Sequence, residues 1–306
     1  MRESFVKILT RLAQKDKSII LLTADLGYGL FDKFAKKFPK QFYNVGIAEQ
    51  NMIGVATGLA LTGKKIITYS IGNFGTLRCL EQIRNDACYH KCNITIVGSG
   101  GGFSYGQLGM SHHATEDISI MRAVPQLEVY CPSTSWECED IFKKIINLKC
   151  TKYFRIEKNN ADILLKKKNF KLNQAIRYLD GNDFSIFAIG SILNEAILAS
   201  NELKKSNINV RVSSFPSIKS LDVKEIRLAC KQTKGILTLE ENVLAGGFGT
   251  AISEVFYVNN FFPKKLIKLG IPDKFTSVVG DQNFLRNYHK INKDEIIRLI
   301  KLTVKK

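Results

Sequence analysis

Length and composition exclude several classes of protein at the outset. The chain has 306 residues, of which 45% are hydrophobic and 24% charged, the usual mix of a globular protein with room for two domains. It contains no run of about 18 apolar residues and no apolar signal core after Met1, so we expect a cytoplasmic protein without a membrane span.

The formal net charge of +17 raises the question of a nucleic-acid partner. The lysines are scattered, apart from a triplet at 166–168 and the C-terminal pair, and no arginine-rich arm or aromatic-basic motif accompanies them. We therefore expect no nucleic-acid binding, and we interpret the charge as an attraction for phosphorylated metabolites or an acidic protein partner.

The cysteines indicate a reducing compartment. There are seven of them, an odd number, and none belongs to a C-x-x-C pair, so free thiols fit better than disulfides. Cys88 and Cys92 have a spacing that suits one helix face, but no second pair of ligands accompanies them. We therefore expect no metal site in this chain.

Helices and strands alternate through the first half of the chain. In chain order we predict a helix at 3–14, strand 19–23, helix 30–37, strand 42–45, helix 49–61, strand 65–70, a loop at 71–75, a helix ending near 90, strand 94–97, helix 115–123, strand 127–130, helix 134–148 and strand 152–156. The helix at 115–123 is expected to be capped by Thr115 or Ser111. The alternation predicts right-handed βαβ units and a mostly parallel sheet.

The second half repeats this alternation after a polar stretch. Residues 158–173 are rich in Asn and Lys, which divides the chain into a domain at 1–160, a linker at 161–175 and a domain at 176–306. The predicted elements of the second domain are strand 184–189, helix 192–205, strand 209–213, helix 222–231, strand 235–239, helix 248–257, strand 265–269 and a final helix at 293–302. The fold class is therefore α/β, with two doubly wound, mostly parallel-sheet domains.

One stretch combines an acidic residue with an otherwise apolar helix. Asn-Val-Gly-Ile-Ala-Glu-Gln-Asn-Met at 44–52 leads into a segment that has almost no polar side chain before Thr62. Its small residues recur at helical spacing and let another backbone come close, and a helix that is apolar all round is expected to be buried. Glu49 in the first turn is then costly unless a partner group meets its carboxylate.

Two adjacent histidines end a long glycine-rich loop. The glycine run at 98–102 lacks both the Lys-Ser/Thr of a P-loop and the spacing of a dinucleotide-binding loop. After it, Gly-Gln-Leu-Gly-Met-Ser-His-His-Ala-Thr-Glu-Asp covers 106–117. On a loop both His112 and His113 can reach a cleft, although the motif alone fits a surface pair equally well.

The motif at 44–52 resembles the transketolase-type signature of thiamine diphosphate enzymes. Further stretches resemble the same family, namely 22–26, 74–86, 109–117, 153–158 and 240–249. The resemblance covers nearly the whole chain but only the back half of a full-length transketolase, because the Gly-Asp-Gly of the diphosphate-binding domain is absent from the sequence. It implies the pyrimidine-binding and C-terminal domains of a split, two-chain transketolase.

The resemblance also implies how the cofactor is held. Glu49 matches the family glutamate that bonds N1′ of the aminopyrimidine and so helps the ring take the proton from C2 of the thiazolium. Phe74 matches the ring that stacks on the pyrimidine, while Arg78 and Asp25 match residues near the cofactor or the subunit contact. A core phenylalanine, a surface arginine and an aspartate that bonds its own turn remain the ordinary alternatives.

Three further residues are implied to face the substrate. His112 matches a family histidine that donates hydrogen bonds to substrate oxygens and relays protons, His113 stands where transketolases usually have Gln, and Arg155 matches a phosphate-contacting arginine. Two positions depart from the family: Leu108 stands near a substrate-reading Asp, and Gly100 near a phosphate-binding His. We interpret these departures as a substrate unlike the usual pentose phosphates.

The implied activity is transfer of a two-carbon ketol unit from a sugar or sugar phosphate to an aldose. Thiamine diphosphate is the implied cofactor, with its Mg²⁺ held by a separate N-terminal, diphosphate-binding subunit, and self-association to a dimer would give a heterotetramer. The alternatives are the β-type subunit of a 2-oxoacid dehydrogenase E1 component, a deoxyxylulose-phosphate-synthase-like enzyme acting on pyruvate, and an inactive partner subunit.

Overall fold

Two parallel-sheet domains follow each other along the chain. The computed structural model describes residues 1–159, 161 and 170–304. The strands of the first domain are β1 (Ile19–Thr23), β2 (Phe42–Asn44), β3 (Lys65–Ile71), β4 (Ile94–Ser99), β5 (Leu127–Tyr130) and β6 (Thr151–Ile156). Its helices are α1 (Arg2–Lys15), α2 (Asp32–Lys37), α3 (Glu49–Leu61), α4 (Gly72–Gly75), α5 (Leu80–Gln82), α6 (Asp117–Ala123) and α7 (Ser135–Ile145).

The strands of the first domain form one fully parallel sheet in the order β2-β1-β3-β4-β6-β5. Ile19 and Leu21 of β1 belong to the apolar cluster that contains α1 and α7, whereas Ile20 and Leu22 belong to the cluster that contains α3 and α6. This alternation follows from the two-residue period of a strand. The sheet is therefore covered on both faces, as its continuous apolar strands predict.

The second domain has the same layered architecture. Its strands are β7 (Ile176–Leu179), β8 (Phe184–Ala188), β9 (Val210–Ser214), β10 (Ile236–Val243) and β11 (Leu266–Ile271), in the order β11-β10-β8-β9-β7. Its helices are α8 (Leu193–Lys204), α9 (Val223–Gln232), α10 (Phe248–Val258), α11 (Gln282–Tyr288) and α12 (Lys293–Val304). Because every strand pair except β7–β9 is parallel, the predicted fold class is confirmed.

Two elements, β7 and α11, are missing from the prediction. β7 is a four-residue antiparallel edge strand, too short for its alternation to stand out from the polar stretch before it. α11 begins after Asp281, whose carboxylate accepts a hydrogen bond from the backbone N–H of Phe284 at 2.7 Å. This aspartate is a helix-start signal that the sequence does contain.

The helix predicted to end near residue 90 is broken into short pieces. At Thr76 the backbone leaves the helical path, with φ −119° and ψ −78°, and its hydroxyl donates to the carbonyl of Gly72 at 2.6 Å. A 3-10 helix at Leu77–Cys79, α5 and a π-helix at Ile83–Cys88 follow. Irregular helical turns of this kind recur at functional sites, and Phe74 lies in the short helix α4 that precedes them.

Helix α3 is buried on one face, which corrects the prediction that it is buried all round. Met52, Ile53 and Ala56 are buried against the sheet. Gly54 and Gly58 lie on the other face, where an added Cβ would meet nothing within 4 Å. The prediction failed because an apolar helix face looks the same in a sequence whether its own chain or a partner covers it.

The predicted linker at 161–175 falls largely outside the described residues, which omit 162–169. On either side of it, β6 ends the first sheet and β7 begins the second. Within residues 1–159 and 170–304, no helix combines the length and the apolar character that a bilayer-crossing helix requires.

A buried carboxylate joins the two domains. Glu137 on α7 accepts hydrogen bonds from the backbone N–H of Ser133 at 2.8 Å, the Tyr178 hydroxyl at 2.5 Å and the Ser214 hydroxyl at 3.2 Å. Tyr178 and Ser214 belong to β7 and β9 of the second sheet. Burial raises the pKa of the Glu137 carboxyl to about 7, from an ordinary value of 4.5, despite these hydrogen bonds.

This raised pKa predicts a measurable pH dependence of stability. The stabilisation that Glu137 contributes is fully present below pH 4.5 and is lost as the pH rises through about 7. Compared with Glu137→Gln, the wild type should therefore lose up to about 3 kcal/mol of unfolding free energy over that interval. Urea unfolding of both proteins across the interval measures the difference, and parallel stability curves would contradict the assignment.

Candidate active site

The predicted site residues follow neighbouring strands of the first sheet. Asp25 comes directly after β1, and Glu49 is reached from β2 through residues 45–48. Phe74 follows β3, and the loop that ends in His112 follows β4. Because the carboxyl ends of parallel strands meet at one edge, where open α/β sheets bind their ligands, the topology brings these segments to the same side of the domain.

Glu49 is a buried acid whose partner is an arginine. It is the first residue of α3 and only 2% exposed, and its carboxylate forms an ion pair of 2.7 Å with the guanidinium of Arg78. The Arg78 side chain is 47% exposed. Among the described residues this is the one hydrogen bond that the Glu49 carboxylate accepts, so the burial of the acid is only partly compensated.

Phe74 and His112 continue the same group of side chains. The guanidinium of Arg78 lies over the Phe74 ring, 4.6 Å from its centroid. The ring of His112 also contacts Phe74, with a centroid distance of 5.2 Å and an interplanar angle of 66°. Four residues predicted from three separate stretches thus form a contact chain Glu49–Arg78–Phe74–His112, which we call the Glu49 cluster.

Ser111 was missed by sequence reasoning and supports His112. Its hydroxyl lies 3.0 Å from Nδ1 of His112, at the end of a 3-10 helix over Met110–His112. The predicted capping role of Ser111 or Thr115 is wrong, because the N-cap of α6 is Glu116 and the Thr115 hydroxyl donates to the Glu116 carboxylate instead.

His113 points into the protein, away from His112. It is 3% exposed, its Nε2 lies 3.1 Å from the carbonyl oxygen of Gly106, and its ring meets the Phe103 ring edge-on at 5.2 Å. Among the described residues its Nδ1 has no hydrogen-bond partner. Asn73, a second residue that sequence reasoning missed, donates to the His113 carbonyl at 2.7 Å.

A cavity of about 470 Å³ adjoins His113 and Asn73, and it is also lined by Glu116, Lys274 and Thr276. Lys274 and Thr276 follow β11 in the second domain, so both domains contribute to its wall. The contact of His113 with substrate stays a prediction, and this cavity is the space beside His113 in which a substrate could lie.

Asp25 forms a local turn. Its backbone is left-handed, with φ 55°, and its carboxylate accepts hydrogen bonds from the Tyr28 hydroxyl at 2.5 Å and the Asn44 amide at 2.9 Å. The hydrogen bond from Tyr28 lowers the pKa of the Asp25 carboxyl. Asp25 thus ties the end of β1 to the end of β2 and makes no contact with the Glu49 cluster among the described residues. Its place near the cofactor or the subunit contact stays a prediction.

Arg155 is placed differently from the prediction. Its side chain is 1% exposed, forms an ion pair of 3.5 Å with the buried carboxylate of Asp117, and donates to the carbonyl of Glu241 at 3.0 Å. A Cβ at Gly101 would lie 1.8 Å from Nε of Arg155, so the loop backbone covers the guanidinium. In this chain Arg155 therefore forms an ion pair in the interior, and its contact with a substrate phosphate stays a prediction.

Gly100 accounts for one departure from the family pattern. Its φ of +83° is left-handed, and a Cβ there would lie 2.0 Å from the ring of Tyr105. A histidine at this position would therefore need both an unfavourable backbone conformation and a displaced tyrosine. The local structure leaves no room for the phosphate-binding side chain that the family places nearby.

A polar network that sequence reasoning missed lies between the domains. Glu241 accepts hydrogen bonds from the Phe103 backbone N–H at 2.5 Å, from Gln282 at 2.9 Å and from Arg286 at 2.7 Å. Arg286 also donates to the Ser191 hydroxyl at 2.9 Å. This network ties the loop after β4, which carries the histidines, to β10 and α11 of the second domain.

Comparison with known proteins agrees with this architecture. Residues 1–162 match the family model of the transketolase pyrimidine-binding domain, and residues 174–296 match that of the transketolase C-terminal domain. The chain is 33% identical to one subunit of the apulose-4-phosphate transketolase of Phocaeicola vulgatus, covering 100% of this chain and 97% of that one. It is 32% identical to a 6-deoxy-6-sulfo-D-fructose transketolase subunit of a Clostridium species, covering 97% and 92%.

A solved structure shows the same similarity in three dimensions. The inactive beta4 tetramer of a split-gene transketolase superposes with a TM-score of 0.88 at 29% identity, covering 99% of this chain and 97% of that one. Both domains and nearly the full length are thus shared with separate transketolase subunits. The chain belongs to the transketolase family: it consists of the pyrimidine-binding and C-terminal domains, and it is similar over nearly its full length to separate subunits of split transketolases.

Proposed function

We propose that this chain provides the pyrimidine-binding half of the active site of a thiamine diphosphate-dependent transketolase. Together with a separate subunit that binds the diphosphate and Mg²⁺, it transfers a two-carbon ketol unit from a ketose or ketose phosphate to an aldose. The observation that carries the proposal is the Glu49 cluster, in which a buried carboxylate, an aromatic ring and a histidine meet at the carboxyl edge of the sheet.

The Glu49 cluster fits an aminopyrimidine ring. The guanidinium of Arg78 is a flat, nitrogen-bearing group that donates to Glu49 and covers the face of Phe74. A flat ring with donor nitrogens needs the same two neighbours, a carboxylate and an aromatic face. Since the Arg78 side chain is 47% exposed, it can turn towards solvent and leave both groups to the ring.

The residues of the chain then have separate tasks. Thiamine diphosphate supplies the nucleophilic carbon when it is bound. Glu49 holds N1′ of the aminopyrimidine and shares a proton with it, which a site closed to water allows. Phe74 fixes the plane of the ring. His112, half-buried beside Phe74, donates hydrogen bonds to the substrate oxygens and moves a proton there.

The exposed face of α3 supports a requirement for further subunits. Glycine in the middle of an exposed helix costs roughly 1 kcal/mol relative to alanine, yet Gly54 and Gly58 are both on that face. Glycines at this spacing allow another backbone to pack closely against the helix. We propose that this face lies at a subunit contact, in a heterotetramer of two copies of this chain and two diphosphate-binding subunits.

The substrate differs from the usual pentose phosphates in this proposal. Two observations support this part of the proposal: Arg155 is held in a buried ion pair, and the closed space at Gly100 leaves no room for a phosphate-binding histidine. The relatives named above carry the names of different ketoses, an apulose phosphate and a sulfofructose. Chains of this architecture thus serve in transketolases for more than one ketose.

Reconstitution tests the function and the subunit contact together. The chain is mixed with the diphosphate-binding subunit encoded in the same genome, thiamine diphosphate, Mg²⁺ and a panel of ketoses and aldoses. We expect ketose consumption that depends on an aldose and releases no CO₂, no activity from either subunit alone, and weak cofactor binding by this chain alone. Gly58→Leu should lower the activity strongly by weakening assembly, whereas Asn201→Leu at an exposed position of α8 should not.

Different results identify the alternatives. Turnover of pyruvate with CO₂ release would show that the enzyme acts on 2-oxoacids and is not a transketolase. It would then be of either the E1 β-type or the deoxyxylulose-phosphate-synthase type. No turnover in an assembled complex would indicate an inactive subunit. Tight, Mg²⁺-dependent binding of the cofactor to this chain alone would contradict an active site divided between two chains. Full assembly of the Gly58→Leu variant would show that α3 does not lie at the subunit interface.

A further inference from the structure

A second cavity lies at the amino-terminal edge of the first sheet, opposite the edge that carries Glu49. Its volume is about 460 Å³. Three segments form its wall: the turn from α3 into β3, the turn before β4, and the connection from α7 to β6. Its polar lining side chains are Lys64, Lys65, His90, Lys91, Asn93, Asn147 and Lys149.

The wall of this cavity is positively charged. Four lysines and one histidine line it, and no described lining residue is acidic. Lys65 is partly neutralised, because its Nζ lies 2.9 Å from the Asp16 carboxylate and 2.6 Å from the Asn147 amide oxygen. The other three lysines, at 64, 91 and 149, form no ion pair with any residue in the described part of the chain.

The end of a helix explains only part of this charge. Cations are favourable near a helix C-terminus, and Lys64 and Lys65 follow the end of α3. Lys91 and Lys149 come from two other segments, and Lys91 is held in a left-handed backbone conformation with φ 53°. Like charges gathered from three segments around one cavity repel each other. Asp16 offsets only the charge of Lys65 among the described lysines of the wall.

A buried lysine beneath the cavity also lacks an anionic partner among the described residues. Lys152 of β6 is fully buried, and its Nζ donates to the amide oxygen of Asn93 at 2.5 Å and to the carbonyl of Leu148 at 3.0 Å. Both partners are neutral, and Asn93 itself lines the cavity. Burial lowers the pKa of the Lys152 ammonium to about 7, which expresses the cost of a buried cation without an anion.

We propose that this cavity binds a compact polyanion, a phosphate ester or diphosphate of a small metabolite. Lysine ammonium groups bind phosphate as point charges and need no fixed bidentate geometry. An anion here would supply the missing charge to the lining lysines and, through Asn93, to the surroundings of Lys152. The site is separate from the Glu49 cluster, although α3 runs from one to the other.

Titration with inorganic pyrophosphate tests this proposal directly. Calorimetry and thermal unfolding of the full chain, at a constant ionic strength set with NaCl, should show saturable binding of one pyrophosphate and an increased melting temperature. The double variant Lys91→Gln/Lys149→Gln should bind roughly tenfold more weakly or worse. Both side chains are exposed, so the variant is expected to fold.

The control is Lys204→Gln/Lys264→Gln, which removes the same charge from exposed positions of the second domain. It should bind pyrophosphate like the wild type. Equal weakening in both double variants would show a response to net charge alone and would overturn the proposal. Unchanged binding in Lys91→Gln/Lys149→Gln, or no saturable binding by the wild type, would overturn it as well.

Discussion

Replacing Glu49 by glutamine should remove nearly all transferase activity from the assembled enzyme and leave the chain folded. The amide cannot share a proton with the pyrimidine nitrogen, and losses of roughly 10²–10⁴-fold are usual when proton transfer by a positioned group is removed. The rate of aldose-dependent ketose consumption in the presence of the diphosphate-binding subunit measures the effect.

The fold should tolerate this change for a local reason. The Glu49 carboxylate is 2% exposed, and its partner Arg78 is half-exposed, so the guanidinium left without its carboxylate can be solvated. The amide oxygen of glutamine can still accept a hydrogen bond from Arg78, and one fewer charge is buried. Circular dichroism and thermal unfolding should therefore resemble those of the wild type.

An exposed glutamate provides the matched control for Glu49→Gln. Glu202 on α8 forms an ion pair with the exposed Lys205, and Glu202→Gln should keep full activity. If Glu49→Gln stayed within about threefold of the wild-type rate, a range that ordinary surface changes reach, the assigned role of Glu49 would be wrong.

Replacing Arg286 by methionine should lower the free energy of unfolding more than any other substitution proposed for this chain. Its guanidinium lies 2.7 Å from the Glu241 carboxylate, and it donates to Ser191, whose hydroxyl in turn donates to Glu157. Both glutamates are 1% exposed, and burial raises the pKa of the Glu157 carboxyl. Without Arg286 two buried acids lose a cation, and breaking such a pair costs about 3–5 kcal/mol.

Urea unfolding measures this loss against two further variants. Arg298→Met on α12 removes an arginine whose side chain is 58% exposed and paired with Glu295, and it should cost less than about 1 kcal/mol. The double variant Glu241→Gln/Arg286→Met removes one carboxylate with the cation and should recover part of the loss. A cost for Arg286→Met no larger than that of Arg298→Met would show that the network is not stabilised by charge.

Arg286 also shows where prediction from the sequence stopped. It lies on α11, which was not predicted, and its partner Glu241 lies at the end of β10. The two positions are 45 residues apart, and neither has a local pattern that points to the other. Asp281 could have identified the helix, but only the packing of α11 onto the carboxyl end of β10 decides that Arg286 faces inward.

Helix α3 illustrates a different limit. Its apolar character and the position of Glu49 in its first turn were predicted and are present in the structure. The sequence could not show which face of the helix is exposed in this chain, because a face that another chain would cover has the same composition as a core face. The exposed Gly54 and Gly58 become visible only when the rest of the chain is in place.

The sequence alone determined the α/β class, the alternation of the two domains and the identity of the chemical groups at the site, because strand and helix periods and short motifs are local properties. Tertiary structure decided which of these groups meet. It pairs Arg78 with Glu49 and places His112 against Phe74, while Arg155 is turned inward to Asp117. The physical reason is that such contacts depend on strand order and on the paths of loops between distant segments, which no local propensity specifies.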